Sequence, residues 1–173
     1  METIFSRRSI RKYTSQPVSE EKVEKLLRAG MAAPTAKNEQ PWHFIVINQR
    51  ELLNRIPEIH PYSQMLREAP VAILVCGDKN LIHKEESREN EGYLVQDCSA
   101  VTQNILLAAE EENLGAVWLG VYPVEERMEG ITELLKLPKN ILPVSLIALG
   151  HPAEEKSPID RYNEERVHYN SWN

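Results

Sequence analysis

Apolar positions along this chain recur at two spacings, and the switches between them lay out the elements. Residues 2–8 suit a short first helix. In "VSEEKVEKLLRAGM", Val23, Leu26 and Leu27 supply a helical stripe. Ser19 is placed to cap that helix, Glu20 and Glu21 suit the positive end of its dipole, and Gly30 is the expected stop. "WHFIVIN" is β-branched and aromatic and reads as a strand. "PVAILVCG" is almost continuously apolar, the mark of a strand buried on both faces. The longest helical pattern covers residues 88–112. Leu94, Cys98, Val101, Ile105 and Ala108 form one stripe, and Val95, Thr102, Leu106 and Ala109 an adjacent one. A helix apolar over so broad an arc needs partners on more than one side, either centrally in the fold or at a subunit interface.

Further on, "GAVWLGVYP" predicts a strand stopped by Pro123, and "VEERMEGITELLKL" a shorter helix weakened by Gly130. "LPVSLIALG" is another strand, with Pro143 expected at its beginning or on an edge. The remaining tail has no core periodicity yet carries Tyr162, Tyr169 and Trp172, so it is expected to dock on something. Four strands separated by helices admit a parallel doubly wound sheet. No GxGxxG turn follows the first strand, however, and the chain begins with helices, so a nicotinamide-binding Rossmann domain is unsupported.

Composition narrows the picture. The 173 residues carry a formal net charge of -6, with 42% hydrophobic and 27% charged residues. That suits one soluble domain over 1–173 and argues against general nucleic-acid binding. No apolar run reaches membrane-spanning length and no signal-peptide core precedes the first helix, so a cytoplasmic location without membrane contact is expected. Cys76 and Cys98 have no CxxC or Cys/His pattern and read as core residues; the histidines lack metal-ligand spacing. GxSxG, HExxH and P-loop motifs are missing, which leaves hydrolase and NTPase readings without support.

Charge is nonetheless concentrated near the start, in "RRSIRKY". An arginine fork and a serine hydroxyl suit a phosphate. If residues 9–13 are extended, Ser9, Arg11 and Tyr13 share one face while Arg8 and Lys12 take the other. On charge alone, a solvated basic patch is the simpler reading. The segment "AAPTAKNEQPWHF" holds Thr35, Asn38 and Gln40 between Pro34 and Pro41. It suits a flat heterocycle with alternating donors and acceptors, or a plain connection anchored by Trp42. Gly120 in "WLGVYP" marks a close approach or a bulge. Gly150 and His151 end the last strand, and Arg161 lies beyond, able to return a cation to a phosphate.

In order, these segments resemble the nitroreductase family of FMN-dependent oxidoreductases. Arg7, Ser9 and Arg11 match an Arg-x-Ser-x-Arg/Lys run. Pro34, Thr35, Asn38, Gln40, Pro41 and Trp42 match a Pro-Ser/Thr-x-x-Asn-x-Gln-Pro-Trp loop. Leu119 and Gly120 match a strand near the flavin, and Gly150, His151, Pro152 and Arg161 match a Gly-His/Tyr-Pro turn with a following basic residue. The resemblance implies an α+β fold, with an antiparallel sheet flanked by helices. It also implies an intertwined homodimer with FMN at two interface sites, the long helix at the interface and the C-terminal tail exchanged between protomers. Arg7, Ser9 and Arg161 would hold the FMN phosphate, with Arg8 assisting there or at the ribityl chain. Arg11 would stabilise charge at the N1–C2=O edge. Pro34, Thr35, Ala36, Asn38 and Gln40 would face the flavin held by the partner. Leu119 and Gly120 would lie near N5, and Gly150 and His151 would complete the cofactor contacts.

No protein acid or nucleophile is then required, because the flavin carries the chemistry. NADH or NADPH would donate electrons in a ping-pong cycle, and a small-molecule acceptor such as a nitroaromatic or quinone would take them. Two departures stand out. Where longer members carry an Asn…Lys pair, this chain has "HPYSQMLREAP", leaving Gln64 to contact the pyrimidine edge. The substrate-covering insert is reduced to 78–92, a charged lid or a solvated loop. Reductive dehalogenation, flavin fragmentation and a non-catalytic FMN sensor are the alternative functions.

Overall fold

The computed structural model describes residues 2–82 and 87–172, the side chains of 87–91 excepted. Its helices are α1 (Glu2–Ser6), α2 (Glu20–Met31), α3 (Arg50–Ile59), α4 (Ser87–Glu111) and α5 (Glu125–Leu135). Its strands are β1 (Trp42–Ile47), β2 (Val71–Asp78), β3 (Gly115–Gly120) and β4 (Ile141–Gly150). Short 3₁₀ turns cover Ala36–Asn38, Pro61–Arg67 and Glu164–Arg166. The lid expected over 78–92 lies partly outside the described residues.

The strands form one sheet in the order β1-β2-β4-β3, and every pairing is antiparallel. The parallel alternative is thereby excluded. The burial of β2 on both faces follows from helices on both sides. Ile73 and Val75 face α2 and α4, against Leu26, Leu94, Val101 and Ile105. Ala72, Leu74 and Cys76 face α3 and α5, against Leu53, Ile56 and Ile131. Fully burying each large aliphatic side chain stabilises by about 1.5–3 kcal/mol, so these two layers hold the domain together. Burial pushes the Cys76 and Cys98 thiols up to about 12, which leaves both chemically quiet near neutrality.

Ser19 caps α2 as expected, its Oγ accepting the Lys22 N–H at 3.3 Å. Gly30, however, is no left-handed stop; no glycine among the described residues has positive φ. A Cβ there would meet Ile105 Cγ1 at 3.0 Å and Val101 Cγ1 at 3.3 Å, so the glycine lets α2 lie close on α4. Within the protomer α2 covers one side of α4 and the sheet another, while Val95, Leu107 and Ala108 are only partly buried.

Pro143 lies near the beginning of β4, one of the two expected places, but β4 is a central strand and not an edge. It sits at a bulge, where Cys76 pairs with Pro143 and Val75 with Ser145, leaving Val144 as the extra residue. A proline cannot donate to the ladder, and the bulge removes the need. Helix α3 had no counterpart in the sequence reading. Its apolar stripe is short, and Pro57 lies inside it near the end.

Candidate functional site

After α1 the chain runs along the free edge of β3. Ser9 bridges Ala116 in parallel, and the Ile10 N–H donates to the Ala116 carbonyl at 3.0 Å. It then turns to Pro152, where the Thr14 N–H donates to His151 O and the Ala153 N–H to Lys12 O, both at 2.9 Å. Switching partners breaks the expected two-face alternation. Ile10 and Tyr13 are buried while Arg11 and Lys12 are exposed, so Ser9, Arg11 and Tyr13 share no face. The Tyr13 hydroxyl lies 2.6 Å from Ile10 O and 3.2 Å from Ala148 O, and burial holds its pKa well above the ordinary tyrosine value.

The first part of the tail, residues 151–157, clasps this arm. Glu154 Oε1 accepts the Arg11 N–H at 2.6 Å and pairs with Lys156 at 3.0 Å, while Lys156 Nζ donates to Ser9 O at 2.7 Å. The Arg11 N–H, and then Lys156, hold the Glu154 carboxyl below its ordinary value. Arg8 is spent on the backbone: its guanidinium donates to Phe5 O, Arg7 O and Ser157 O at 2.6–2.9 Å. Arg8 is thus a strut between α1 and the tail, and it also borders the cleft that Arg7 and Arg161 line.

The clasp brings Arg7 and Arg161 together, although 154 positions separate them. Both line a cleft of 580 Å³ with Ile4, Phe5, Arg8 and Tyr162. Three guanidinium groups against the single carboxylate of Asp160 leave this cleft net positive, which suits a phosphate monoester. From Ala116, where the arm joins β3, four residues lead to Gly120, about 13 Å at strand rise. Val121 N–H and Ala116 O set the parity of β3. Val121 bonds to β4 through Val144 O at 3.2 Å, and Ala116 bonds outward to the arm. Gly120, on the Ala116 parity, therefore turns both its N–H and its carbonyl to the outer edge. A Cβ on Gly120 would meet nothing nearer than Tyr122 O at 3.9 Å. The glycine leaves open space rather than making room for a packed neighbour.

The loop over 34–40 is fastened by a residue the motif did not include. Asp97 of α4, buried, accepts the Thr35 hydroxyl at 2.9 Å and the Ala36 N–H at 3.0 Å. Thr35 Oγ1 in turn accepts the Gln40 N–H at 3.0 Å, and the Gln40 amide donates to Asn38 Oδ1 at 2.9 Å. Lys37, Asn38 and Gln40 all have positive φ (51°, 59° and 49°), a strained conformation for residues with a Cβ. The loop holds it because Asp97 and Thr35 fix its backbone. Asp97 is the one charged residue in the apolar stretch 94–109, a signal available in the sequence.

Gln64, Gly150 and His151 also have neighbours within the protomer. Gln64 is exposed, and its amide lies 3.3 Å from Pro61 O and 3.5 Å from Pro57 O. A Cβ on Gly150 would meet Pro70 Cδ at 2.7 Å and Tyr13 Cδ1 at 2.9 Å, which makes it a packing glycine. His151 supplies its carbonyl to the arm. Within the protomer Ile159, Tyr162, Tyr169 and Trp172 remain exposed. Among the described residues no group of His, Cys, Asp and Glu could hold a metal ion, and no helix is long and apolar enough to cross a membrane.

Comparison with known proteins places the fold in a family. A protein of Methanothermobacter thermautotrophicus named "Putative NADH dehydrogenase/NAD(P)H nitroreductase" is 49% identical over 99% of this chain and 87% of its own length. The crystal structure of a Parabacteroides distasonis protein of the same name superposes with a TM-score of 0.92 at 43% identity, covering 99% of this chain and 97% of that one. An FMN-dependent nitroreductase of Clostridium difficile gives a TM-score of 0.87 at 30% identity, with 98% of each chain covered. The profile of the nitroreductase family matches residues 4–60 and 57–151, which span the arm, the Thr35 loop and the Gly120 strand end, and the chain belongs to the nitroreductase family.

Proposed function

We propose that this chain is a single-domain FMN-dependent NAD(P)H oxidoreductase that acts as a homodimer on nitroaromatic, quinone or similar acceptors. The observation that carries the reading is the convergence of Arg7 and Arg161 on one cleft, with the outward N–H of Gly120 and the open space beside it further along the edge of β3 that the arm joins. That order suits a phosphate, a ribityl chain and a flat ring in succession. The open space where a Gly120 side chain would lie fits a ring passing close to the strand.

When bound, FMN would supply two-electron chemistry between NADH or NADPH and the acceptor, in a ping-pong cycle. Arg7, Ser9 and Arg161 would hold its phosphate by charge-assisted bonds. Arg11, exposed and 3.4 Å from Ser9 O, would bring a cation to the N1–C2=O edge, where a positive charge favours the reduced, anionic ring. The Leu119–Gly120 backbone would line the reacting edge of the ring, and the loop Pro34–Gln40 would cover the ring held by the partner. Support for the dimer comes from the exposed tail aromatics, which need a second surface to bury them.

The test is direct. The purified protein is expected to be yellow, to release FMN on denaturation, and to bleach when mixed anaerobically with NADH or NADPH. A colourless protein that takes up no FMN overturns the reading. One that binds FMN but resists both reductants is a flavin-binding protein without turnover.

A further inference from the structure

The end of β3 is held by two side chains that no family motif singled out. His60 Nε2 lies 3.0 Å from the Gly120 carbonyl oxygen, and Arg127 Nη1 donates to the same oxygen at 2.9 Å. A carbonyl only accepts, so Nε2 carries the proton and Nδ1 is left with a lone pair. His60 is 1% exposed, and Nδ1 is the one buried side-chain polar atom among the described residues with no hydrogen-bond partner. The ring is therefore kept in place at a cost, and the bond through Nε2 is what it does there. Burial, and then the charge of Arg127, hold its pKa below the ordinary value, so it stays a neutral donor near pH 7. Arg127 is itself oriented, its guanidinium carbon 5.5 Å from the centre of the Tyr62 ring.

The carbonyl they grip belongs to the Gly120–Val121 peptide, whose N–H donates to Val144 O at 3.2 Å. Tyr122 N–H donates to the same Val144 O at 3.1 Å. One peptide unit is thus pinned at both poles, immediately after the N–H that Gly120 turns outward. Glycine has the largest backbone freedom of any residue; the ladder at Leu119 holds the peptide that carries its N–H, and the grip on its carbonyl fixes the residue from the other side.

We propose that His60 and Arg127 are positioning residues for hydride transfer, clamping the Gly120 carbonyl so that the outward N–H of the same residue keeps a fixed aim at the reacting edge of the flavin. This rests on the flavoenzyme reading above. Neither side chain touches the phosphate cleft, so the clamp acts on the rate and not on cofactor retention.

The experiment compares wild type with His60→Phe, Arg127→Met, the double variant, and His60→Gln, which keeps an N–H donor. Three quantities are read: the FMN dissociation constant, the limiting rate of flavin reduction under anaerobic mixing, and the ¹⁵N resonance of N5 in labelled FMN. In the double variant the dissociation constant is expected to stay within about threefold while the limiting rate falls by roughly ten- to a hundredfold. The N5 resonance is expected to shift and broaden, and His60→Gln to recover most of the loss from His60→Phe. A double variant with unchanged rate and N5 resonance overturns the clamp, as does a loss confined to FMN affinity. Wild-type protein that takes up no FMN overturns the flavoenzyme reading itself, and the clamp with it.

Discussion

Two irregular segments border the site, and each is fastened by one carboxylate. The loop 34–40 hangs from Asp97, whose residue is 6% exposed on a core helix. The arm 7–14 hangs from Glu154, whose side chain is 19% exposed on the tail and backed by Lys156 at 35%. The first fastener is dry and takes two donors from a strained backbone. The second is wet, shares its charge with a lysine, and is helped by ladder-like backbone bonds on either side. The loop is therefore a fixed wall, whose geometry depends on a single buried group. The arm is secured by many weak bonds and gives way gradually.

Replacing Asp97 by Ala should break the contrast most sharply. It strands the Thr35 hydroxyl and the Ala36 N–H, each worth about 1–3 kcal/mol when left unpaired. A fall in Tm of roughly 5–15 °C is expected, since each kcal/mol shifts a chain of this size by about 2–4 °C. Asp97→Asn, which can satisfy one of the two donors, should lose about half as much. A Tm within about 1 °C of wild type in the Ala variant would show that the loop holds its own shape.

On the other side, Arg161→Ala should leave Tm nearly unchanged but weaken FMN binding about tenfold or more, the value of one charge-assisted bond. Equilibrium titration of the FMN-free protein measures it, and equal affinities would remove Arg161 from the site. Arg11→Ala should keep FMN bound and lower its reduction potential, read by dye-coupled titration; an unchanged potential would refute the role given to that cation.

The smallest effect is expected at Glu154. Glu154→Gln should lower Tm by about 1–3 °C at pH 7 and low salt, in keeping with a solvent-screened contact. The sign of its pH dependence follows from its depressed pKa. The bonds to Arg11 N–H and Lys156 stabilise the fold above the ordinary carboxyl value of 4.5 and are lost as pH falls through the lower folded value. The gap in Tm between wild type and Glu154→Gln should thus be constant well above 4.5 and narrow as pH falls below it. A gap that does not narrow at all on acidification would mean that the carboxylate charge is not what fastens the arm.

Local pattern was enough for most of the scaffold. The stripe Leu94, Cys98, Val101 and Ile105 is fully buried, β2 is covered on both faces, and Ser19 caps its helix, because period, branching and capping act over a few neighbouring residues. The elements that escaped are those in which a neighbour far along the chain overrides the local signal. Gly30 looks like a stop but is a close-packing site against Ile105, and Pro143 is tolerated in a central strand because a bulge falls there.

The same division runs through the site. Arg7, Thr35, Gly120 and Arg161 were visible as residue types in an order that matches the nitroreductase family. Their fasteners were not, apart from the lone charge of Asp97 in its apolar helix. Glu154, Lys156, His60 and Arg127 are ordinary surface letters in the sequence, and no spacing marks them. Hydrogen bonds such as His60 to Gly120, 60 residues apart, exist only once the sheet has placed the strand end beside the turn that follows α3. The sequence by itself determined which groups are available and which local elements carry them. Which of those groups are bonded within the fold, as the Arg8 guanidinium and the Gly120 carbonyl are, and which face open space, as the Cβ side of Gly120 does, only the tertiary structure decided. A donor's fate is set by the acceptor that packing brings within three ångströms, and packing is a property of the whole chain.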